Sequence, residues 1–555
     1  MKKGLLFSIL FTISMVVNAQ TPTWIWSNAT GGRSSSDAPL STVKDNAGNV
    51  YISGEFEGTV NIGGTSYTSA GVNDVFLSKY DAAGNHLWTS TFGGANNFMF
   101  AGGIAIDANN NIYLTGTFTF RLDVGGNVYF TNNFTKDIYL IKVSPSGGAL
   151  WAKVVGGLGA EDAKCIASSG TNIYVGGSYN QTFTVDAAVF PATTSNNINA
   201  FVLATDTGGT GIWAAHGGGV NTDQLNSISA SASSVYVGGY IQGAATFGSL
   251  NVSGSGSDND MLLAKLDPST GAFLWAKGTG AASTDQINSV GQDANDNVYC
   301  GGSFLATVSF GGGVTLAETG FPMGAYGDAF IAKYNPTGTC LWARKVGGNS
   351  DDIASNIAVA PNGSVYGIGY FKLAATASST GTPTQAFTTV GGTDFFAVKY
   401  SPIGSLLWAI RGGTTSDDKG RCITLDDNGF CFLAGNFFNA LTLGTLPAIN
   451  SNPSLVTAFI ARLNGFSVGL NDISNSVKVN VFPNPTTDVV NFEMPKGIYI
   501  NSVEIFNVAG QLMMNQNYNL PMQNASINVS ELPTGNYKVR VIANEGYVVK
   551  SIQVK

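Results

Sequence analysis

The sequence predicts an all-β chain in which seven copies of a four-stranded unit precede a smaller β-domain, and three observations predict it. Trp26, Trp88, Trp151, Trp213, Trp275, Trp342 and Trp408 recur at intervals of 62, 63, 62, 62, 67 and 66 residues. A period of that size marks supersecondary units that bury their apolar faces only by stacking on neighbours. The composition agrees: 71 Gly in 555 residues, 44% hydrophobic and 11% charged, suits strands and tight turns better than helices, which would need more Glu, Lys and Arg. The 33 Phe and 20 Tyr supply a core and argue against disorder. Finally, the tryptophan period stops after Leu463, where a different strand pattern takes over.

The first twenty residues come before any repeat. Lys2 and Lys3, an apolar run from Leu5 to Val17, and Val-Asn-Ala at 17 to 19 form the pattern of a secretory signal peptide, with the cut between Ala19 and Gln20. No other stretch approaches the roughly 20 unbroken apolar residues of a membrane helix, and no cysteine follows the cut to take a lipid. The mature chain is therefore expected to be a soluble monomer without a transmembrane segment, secreted or held at the cell surface.

Each unit contains four strand-length segments, rich in β-branched and aromatic residues and bounded by Gly, Asn, Asp or Pro. One starts at the tryptophan, as in Leu150-Trp-Ala-Lys-Val-Val-Gly-Gly157. A short alternating stretch follows, such as Gly103-Ile-Ala-Ile-Asp107. The third segment reads Asn49-Val-Tyr-Ile-Ser-Gly54 in one unit and Asn297-Val-Tyr-Cys-Gly-Gly302 in another. The fourth reads Asp74-Val-Phe-Leu-Ser-Lys-Tyr80 or Asp328-Ala-Phe-Ile-Ala-Lys-Tyr334. Turns such as Asp45-Asn-Ala-Gly-Asn49 supply the positive φ that tight antiparallel connections need. A variable stretch between the third and fourth segments is expected to form an extra hairpin standing off the sheet.

The ends of the array distinguish an open stack from a ring. The last unit, after Ala458 to Leu463, has no tryptophan strand, whereas an orphan one, Thr23-Trp-Ile-Trp-Ser-Asn-Ala-Thr-Gly-Gly32, sits near the start. If that strand completes the last unit, no sheet edge is left open and seven complete blades result. An open solenoid would instead show polar capping repeats. The prediction is a seven-bladed β-propeller over residues 20–463, closed by its N-terminal strand. These repeats resemble the bacterial β-propeller repeat family whose units read roughly Leu-Trp-Ala-Lys, Gly-Gly, Asp, Asn-Val-Tyr, Asp-x-Phe-Leu-Ala-Lys-Tyr, a family largely without assigned activity.

Residues 464–476 read as a polar linker. Beyond them, Val477 to Thr486, Val489 to Glu493, Val503 to Gln511, Ile527 to Val541 and Val548 to Val554 alternate as the strands of a small β-sandwich over 477–555. This segment resembles the C-terminal sorting domain of type IX secretion, type A. The resemblance rests on Phe482-Pro483-Asn484-Pro485, a strand ending Gly510-Gln511, the core Leu532-Pro533-x-Gly535-x-Tyr537, and a final strand that follows Lys550. It implies a partner, the type IX secretion machinery, and an address that guides the cargo across the outer membrane and is then removed.

The search for chemistry excludes more than it finds. Six of the 27 Lys/Arg and six of the 35 Asp/Glu lie in residues 466–555 and two lysines lie in the leader, so residues 20–465 hold 19 positive and 29 negative side chains, net −10. Such a surface repels phosphate backbones, which argues against nucleic acid as a partner. His86 and His216 are the only histidines, so no helical metalloprotease motif exists, and both read as solvated turn residues. Of five cysteines, Cys422 and Cys431 flank a turn and are close enough in sequence to oxidise across a hairpin, although buried small apolar residues are the preferred reading for all five.

After the Gly-Gly of each tryptophan strand comes an acid: Asp37, Asp162, Asp223, Asp285, Asp351 with Asp352, and Asp417 with Asp418. A ring of such carboxylates would hold Ca²⁺, and Asp162, Asp223, Asp285, Asp351 and Asp417 are the candidate ligands. A feature repeated in nearly every unit is more simply a structural cap, because a catalytic site needs unlike residues from unlike repeats. No catalytic residue and no organic cofactor are assigned. The expected function is a non-enzymatic binding or adhesion module. The rivals are an extracellular polysaccharide hydrolase or lyase, with carboxylates at the channel mouth, and a structural surface-layer component.

Overall fold

In the computed structural model each repeat folds as an antiparallel sheet of four strands, and the tryptophan segment is the fourth strand rather than the first. The structure describes residues 22–30, 38–131, 135–186, 188–191, 197–281, 283–319, 327–379, 384–426, 429–450, 456–464, 477–496, 498–507, 512–543 and 546–555. The signal peptide, with Ala19 and Gln20, and the linker from 465 to 476 lie outside these residues. The chain divides into two compact units, one spanning Pro22–Phe466 and one that includes Ser467–Lys555.

Sheet one runs Ala38–Lys44, Val50–Ile62, Thr65–Tyr80 and His86–Phe92. Sheet two runs Met99–Ile106, Ile112–Thr119, Lys136–Val143 and Ala149–Val155, and sheet three Glu161–Ser169, Asn172–Tyr179, Asn199–Asp206 and Gly211–Gly219. Sheet four comprises Gln224–Ala230, Val235–Gln242, Asn259–Leu266 and Phe273–Thr279. Sheet five comprises Gln286–Gln292, Val298–Phe304, Asp328–Tyr334 and Cys340–Gly348, and sheet six Ile353–Val359, Val365–Ala377, Gln385–Tyr400 and Leu406–Gly412. Sheet seven has Lys419–Leu425, Cys431–Phe437 and Thr457–Leu463, and its fourth strand is Trp24–Ala29, in register with Asn28 opposite Ile460 and Ala29 opposite Phe459. The seven first strands pack in series, each on the next, and Lys419–Leu425 packs in turn on Ala38–Lys44.

The tryptophan period has a direct physical cause. In every sheet the fourth-strand indole meets an aromatic ring on the second strand. The pairs are Trp88 with Tyr51, Trp151 with Tyr113, Trp213 with Tyr174, Trp275 with Tyr236, Trp342 with Tyr299, Trp408 with Tyr366 and Trp26 with Phe432, at centroid distances of 5.7–6.1 Å. The same aromatic ring also carries a third-strand cation in six sheets, from Lys79 over Tyr51 to Arg462 over Phe432, 4.8–5.3 Å from the centroid. A carboxylate in the turn between the first and second strands then holds the cation: Asp45 lies 3.1 Å from Lys79, Asp293 3.4 Å from Lys333 and Asp426 2.7 Å from Arg462.

The same indoles join one sheet to the next. Trp88 Nε1 donates to the carbonyl of Pro145, Trp213 to Pro268, Trp275 to Pro336 and Trp342 to Pro402, each in the turn between the third and fourth strands of the following sheet. Trp26, on sheet seven, donates in the same manner to Ala82 of sheet one, at 3.1 Å. The turn presses a glycine on the indole face. A Cβ at Gly84 would lie 2.6 Å from the Trp26 ring and one at Gly271 2.5 Å from Trp213, and both glycines hold positive φ, so sterics and backbone conformation both require glycine there.

The expectation of projecting hairpins is corrected in part, and the preferred reading of the cysteines as buried residues holds. Two inserted hairpins pair with the fourth strand of the sheet before, Gly217–Gly219 with Ala245–Phe247 and Val346–Gly348 with Ala375–Ala377, whereas Arg121–Val124 with Asn127–Phe130, Phe183–Val185 with Ala188–Phe190, Thr307–Gly311 with Val314–Ala317 and Ala440–Leu441 with Ile449–Asn450 form two-stranded sheets of their own. The first two pairings satisfy backbone groups at the open outer edge. Cys422 stands opposite Ala434 and Cys431 opposite Leu425, so the two cysteines are not cross-strand partners, and all five are buried free thiols. Burial pushes the Cys340 and Cys422 thiols up to about 12, which leaves them unreactive at neutral pH.

The second unit packs two antiparallel sheets on one core. Asn480–Phe482, Val489–Glu493 and Asn524–Asn528 form one, and Leu512–Met522, Ile500–Phe506, Gly535–Ala543 and Gly546–Val554 the other. Val490, Phe492, Val503, Ile505, Val539 and Val541 fill the space between them.

Replacing Trp26 with Ala removes a ring stack and a hydrogen bond together. It is expected to cost about 3 kcal/mol in a denaturant titration of the repeat unit, whereas Ile25→Ala, at an exposed neighbouring position, is expected to cost under about 0.5 kcal/mol.

Candidate functional site

The acid that follows each Gly-Gly is a structural cap at most positions, and the residue that does the capping differs in part from the sequence reading. Glu161, Asp223, Asp285, Asp352 and Asp418 are fully buried. Each accepts a hydrogen bond from the backbone N–H four residues earlier: Gly157, Gly219, Ala281, Gly348 and Thr414. In the last four, the other carboxylate oxygen takes an N–H from the start of the inserted hairpin, such as Leu305 at 2.8 Å or Lys372 at 3.3 Å. Of the proposed metal ligands, Asp223 and Asp285 therefore belong to this set. Asp162 is ion-paired with Lys164 at 2.8 Å, while exposed Asp351 and Asp417 accept from the N–H groups of Gly327 and Thr393. Asp37 lies outside the described residues. Among the described residues no three His, Cys, Asp or Glu side chains converge to hold a metal ion.

A second acid faces four of the caps from the head of a third strand: Asp137 beside Glu161, Asp260 beside Asp285, Asp328 beside Asp352 and Asp394 beside Asp418. Burial, with repulsion from this neighbour, raises Glu161 and Asp285 to about 7, Asp352 to about 8 and Asp418 to about 6. Burial alone lifts Asp223, which faces Asn199, to about 6. In three sheets the first glycine of the Gly-Gly makes room for the third-strand acid: a Cβ at Gly93 would lie 2.0 Å from Asp74, one at Gly156 2.4 Å from Asp137 and one at Gly347 2.0 Å from Asp328.

The repeat leaves a different set of positions unfixed. Every first strand carries one bulge, at Leu40, Gly102, Lys164, Asn226, Asn288, Ser355 and Arg421. A bulge re-aims a side chain and bends the strand. Around it stand Phe100, Asp162, Gln224, Gln286, Ile353 and Lys419 on the first strands, and Glu55, Thr117, Ser178, Tyr240, Ser303, Tyr370 and Asn436 on the second. These residues lie at one end of the first-strand series and are chemically unlike. Glu55 accepts from the Ala101 N–H and from Asn73, and lies near Asp162 and Lys164; burial raises its pKa. Gln224 donates to Asn226, and Asn226 and Asn288 donate to carbonyls of the next first strand, Ile287 and Ala354. Tyr370 lies under Lys419, and Arg421 donates to Asn436 at 3.1 Å.

In the second unit the sorting motifs come together. Asn484 donates through Nδ2 to the Ser551 carbonyl and accepts at Oδ1 from the Gln553 N–H, both at 2.9 Å, so it clamps the final strand. Tyr537, buried, donates to the Pro533 carbonyl at 2.6 Å, Leu532 lies in the core, and Gly535 opens the strand that pairs Val539 with Lys550. Phe482 is half-exposed, Pro483 and Pro485 follow cis peptide bonds, and Pro485, Asn484 and Tyr537 share a cleft of 610 Å³ with Ser551 and Gln553. Gly510 lies outside the described residues.

Residues 480–555 match the family described as the secretion system C-terminal sorting domain. They are a type IX sorting domain. Such a domain implies interaction with the type IX secretion machinery and export to the cell surface or beyond it. Among the described residues no helix is long and apolar enough to cross a membrane. The chain is also 24% identical over 470 residues to an uncharacterized WD repeat-containing protein of Acanthamoeba polyphaga mimivirus; the match takes in 71% of this chain and 33% of that protein. This chain thus spans about a third of the relative's length. Among solved structures it is similar to virginiamycin B lyase from Staphylococcus aureus, at 8% identity and TM-score 0.36 over 78% of this chain and 98% of that one. It is likewise similar to quinohemoprotein alcohol dehydrogenase from Comamonas testosteroni, at 11% identity and TM-score 0.34 over 79% and 76%.

Sequence reasoning found the acids but missed their partners and, in places, their phase. The signal was the constant interval of four residues between the donating N–H and the cap, which selects Glu161, Asp352 and Asp418 over Asp162, Asp351 and Asp417. The histidines are also corrected: His86 opens the fourth strand of sheet one and His216 lies within that of sheet three, so neither sits in a turn.

The buried acids set a pH dependence with a definite sign. Their folded pKa values lie above the ordinary carboxylate range, so their contribution is complete below about pH 4 and is lost as pH rises through 6 to 8. The denaturation midpoint of the repeat unit is expected to fall between pH 5 and pH 9. Asp352→Asn is expected to recover on the order of 1–2 kcal/mol at pH 9 and little at pH 5.

Proposed function

We propose that residues 22–463 form a closed seven-bladed propeller that serves as a non-enzymatic binding module, delivered outside the cell by its type IX sorting domain after a signal peptide spanning 1–19. Closure is supported by the pairing of Trp24–Ala29 with Thr457–Leu463 and by the hydrogen bond from Trp26 to Ala82, which repeats the link between the other sheets. The observation that carries the binding reading is the division of labour within the repeat. Indoles, second-strand rings and buried caps recur from sheet to sheet, while the bulge and its neighbours carry Lys, Asn, Ser, Arg, Tyr, Gln or Ile. A rigid frame that varies its side chains at one end is what selective recognition needs. Calcium is not required by this reading.

A second reading keeps the rival enzyme in play through one pair. Glu55 and Asp162 come from unlike sheets and act on each other electrostatically, and Glu55 has the raised pKa of a general acid. A polysaccharide hydrolase or lyase would use such a pair.

One experiment separates the two. The exported protein is applied to a glycan and polysaccharide array, and every hit is examined for products. Binding without turnover that is weakened at least about tenfold by Tyr240→Ala is the expected result. New reducing ends or unsaturated products that vanish in Glu55→Gln would replace the binding reading by the enzymatic one.

A further inference from the structure

We infer that Lys419 and Arg421 form an oxyanion subsite that makes the first-strand end select acidic over neutral glycans. The inference deepens the binding reading and rests on it.

The two cations stand two residues apart on the first strand of sheet seven, with Arg421 at the bulge. Both are partly buried. Lys419 Nζ lies 4.7 Å from the centroid of Tyr370, and Arg421 Nε donates to Asn436. Among the described residues no carboxylate lies within ion-pair distance of either. That sets them apart from Lys79, Lys142, Lys153, Lys164, Lys265, Lys333, Lys345, Arg121, Arg411 and Arg462, each of which reaches an Asp within 4 Å.

One nearby acid offsets the pair in part, without forming an ion pair. Asp417 bears on Lys419 but its Oδ1 accepts from the Thr393 N–H, and Asp351, near Tyr370, accepts from the Gly327 N–H. Burial lowers the pKa of both cations, and for Lys419 the neighbouring Arg421 adds to it. Two like charges held together and partly desolvated, with no carboxylate in ion-pair contact, are costly in the free protein, and an anion placed between them relieves that cost. Among the described residues Arg421 donates only through Nε, so its two Nη groups are left to take a carboxylate or sulfate as a planar fork.

The surroundings fit a saccharide better than a free ion. Tyr370 offers a ring face beside the cations, and Gln286 on sheet five and Ile353 on sheet six extend the same end with an amide and an apolar contact. Such a mixture matches a hydroxylated ring that carries an acid group.

The test uses the full chain and paired probes: polygalacturonate against its fully methyl-esterified form, and heparin against its desulfated, N-acetylated form, with inorganic sulfate as a free anion. The inference expects the acidic member of at least one pair to bind by calorimetry and its neutral partner to bind at least about tenfold more weakly. Lys419→Met and Arg421→Met are each expected to lose that preference, with unchanged thermal unfolding, whereas Lys372→Met, at an exposed position, keeps it. Should Arg421→Met fail to fold, Lys419→Met decides alone. Binding of neutral and acidic members alike, lost in Tyr240→Ala, would overturn the subsite and keep the binding module. Binding of sulfate as tightly as of either acidic glycan would overturn the saccharide preference. Absence of any acidic ligand, or wild-type affinity in both variants, would overturn the subsite outright.

Discussion

An indole laid between the ring of its own sheet and the turn of the next holds the repeat unit together. Each fourth-strand tryptophan stacks edge-on or tilted against a Tyr or Phe of the second strand and, in most sheets, sends its N–H to a carbonyl of the following sheet. One side chain therefore fixes both the internal layering and the distance to the neighbour. Aromatic pairs of this kind add about 0.5–1.5 kcal/mol beyond the area they bury, and the gain recurs with every repeat. The cation above the second-strand ring completes the stack, and the carboxylate in the turn holds it. Burial works to raise Asp45, but the hydrogen bonds from Asn49 and Lys79 outweigh it and keep the carboxyl below its ordinary value.

The polar interior obeys a second constraint. The connection from one sheet to the next must pass beside the preceding sheet's last strand and the inserted hairpin, so several backbone N–H groups point into a space closed to water. The caps Asp223, Asp285, Asp352 and Asp418 satisfy two such groups each. The acid at the head of the third strand satisfies others, as Asp328 does for Thr319 and Asp394 for Val390. Two carboxyl groups side by side cannot both ionise cheaply, so the scaffold favours mildly acidic conditions. Lys345 and Arg411, 3.2 and 3.3 Å from Asp328 and Asp394, relieve part of the repulsion in sheets five and six.

Much of this was legible in the residues, for reasons that can be stated. The tryptophan spacing exposed the repeat because a single stacking geometry recurs, and the orphan strand at Trp24 and Trp26 pointed to its partner because Ala458–Leu463 lacked one. The Gly-Gly pairs were visible as a pattern but not as a cause: nothing in the sequence says that Gly347 must clear Asp328 or that Gly348 must clear the Ala374 carbonyl. The two hairpins latched to the preceding sheet were read as projections because that latch is a pairing between segments that share no local signal. The candidate site was least visible. Lys164, Asn226 and Arg421 have no common chemistry, and only the bulge, a backbone feature set by three-dimensional pairing, places them together.

The sorting domain assigns a destination and the repeat unit a surface, and both rest on the N-terminal strand being the last strand of sheet seven. Native-state hydrogen exchange tests that pairing most directly. The account predicts that amides of Trp26–Ala29 exchange as slowly as those of Phe432–Ala434 in the middle of the same sheet and lose protection only in global unfolding. Exchange of Trp26–Ala29 at the rate of an unstructured peptide, with the rest of sheet seven still protected, would contradict it.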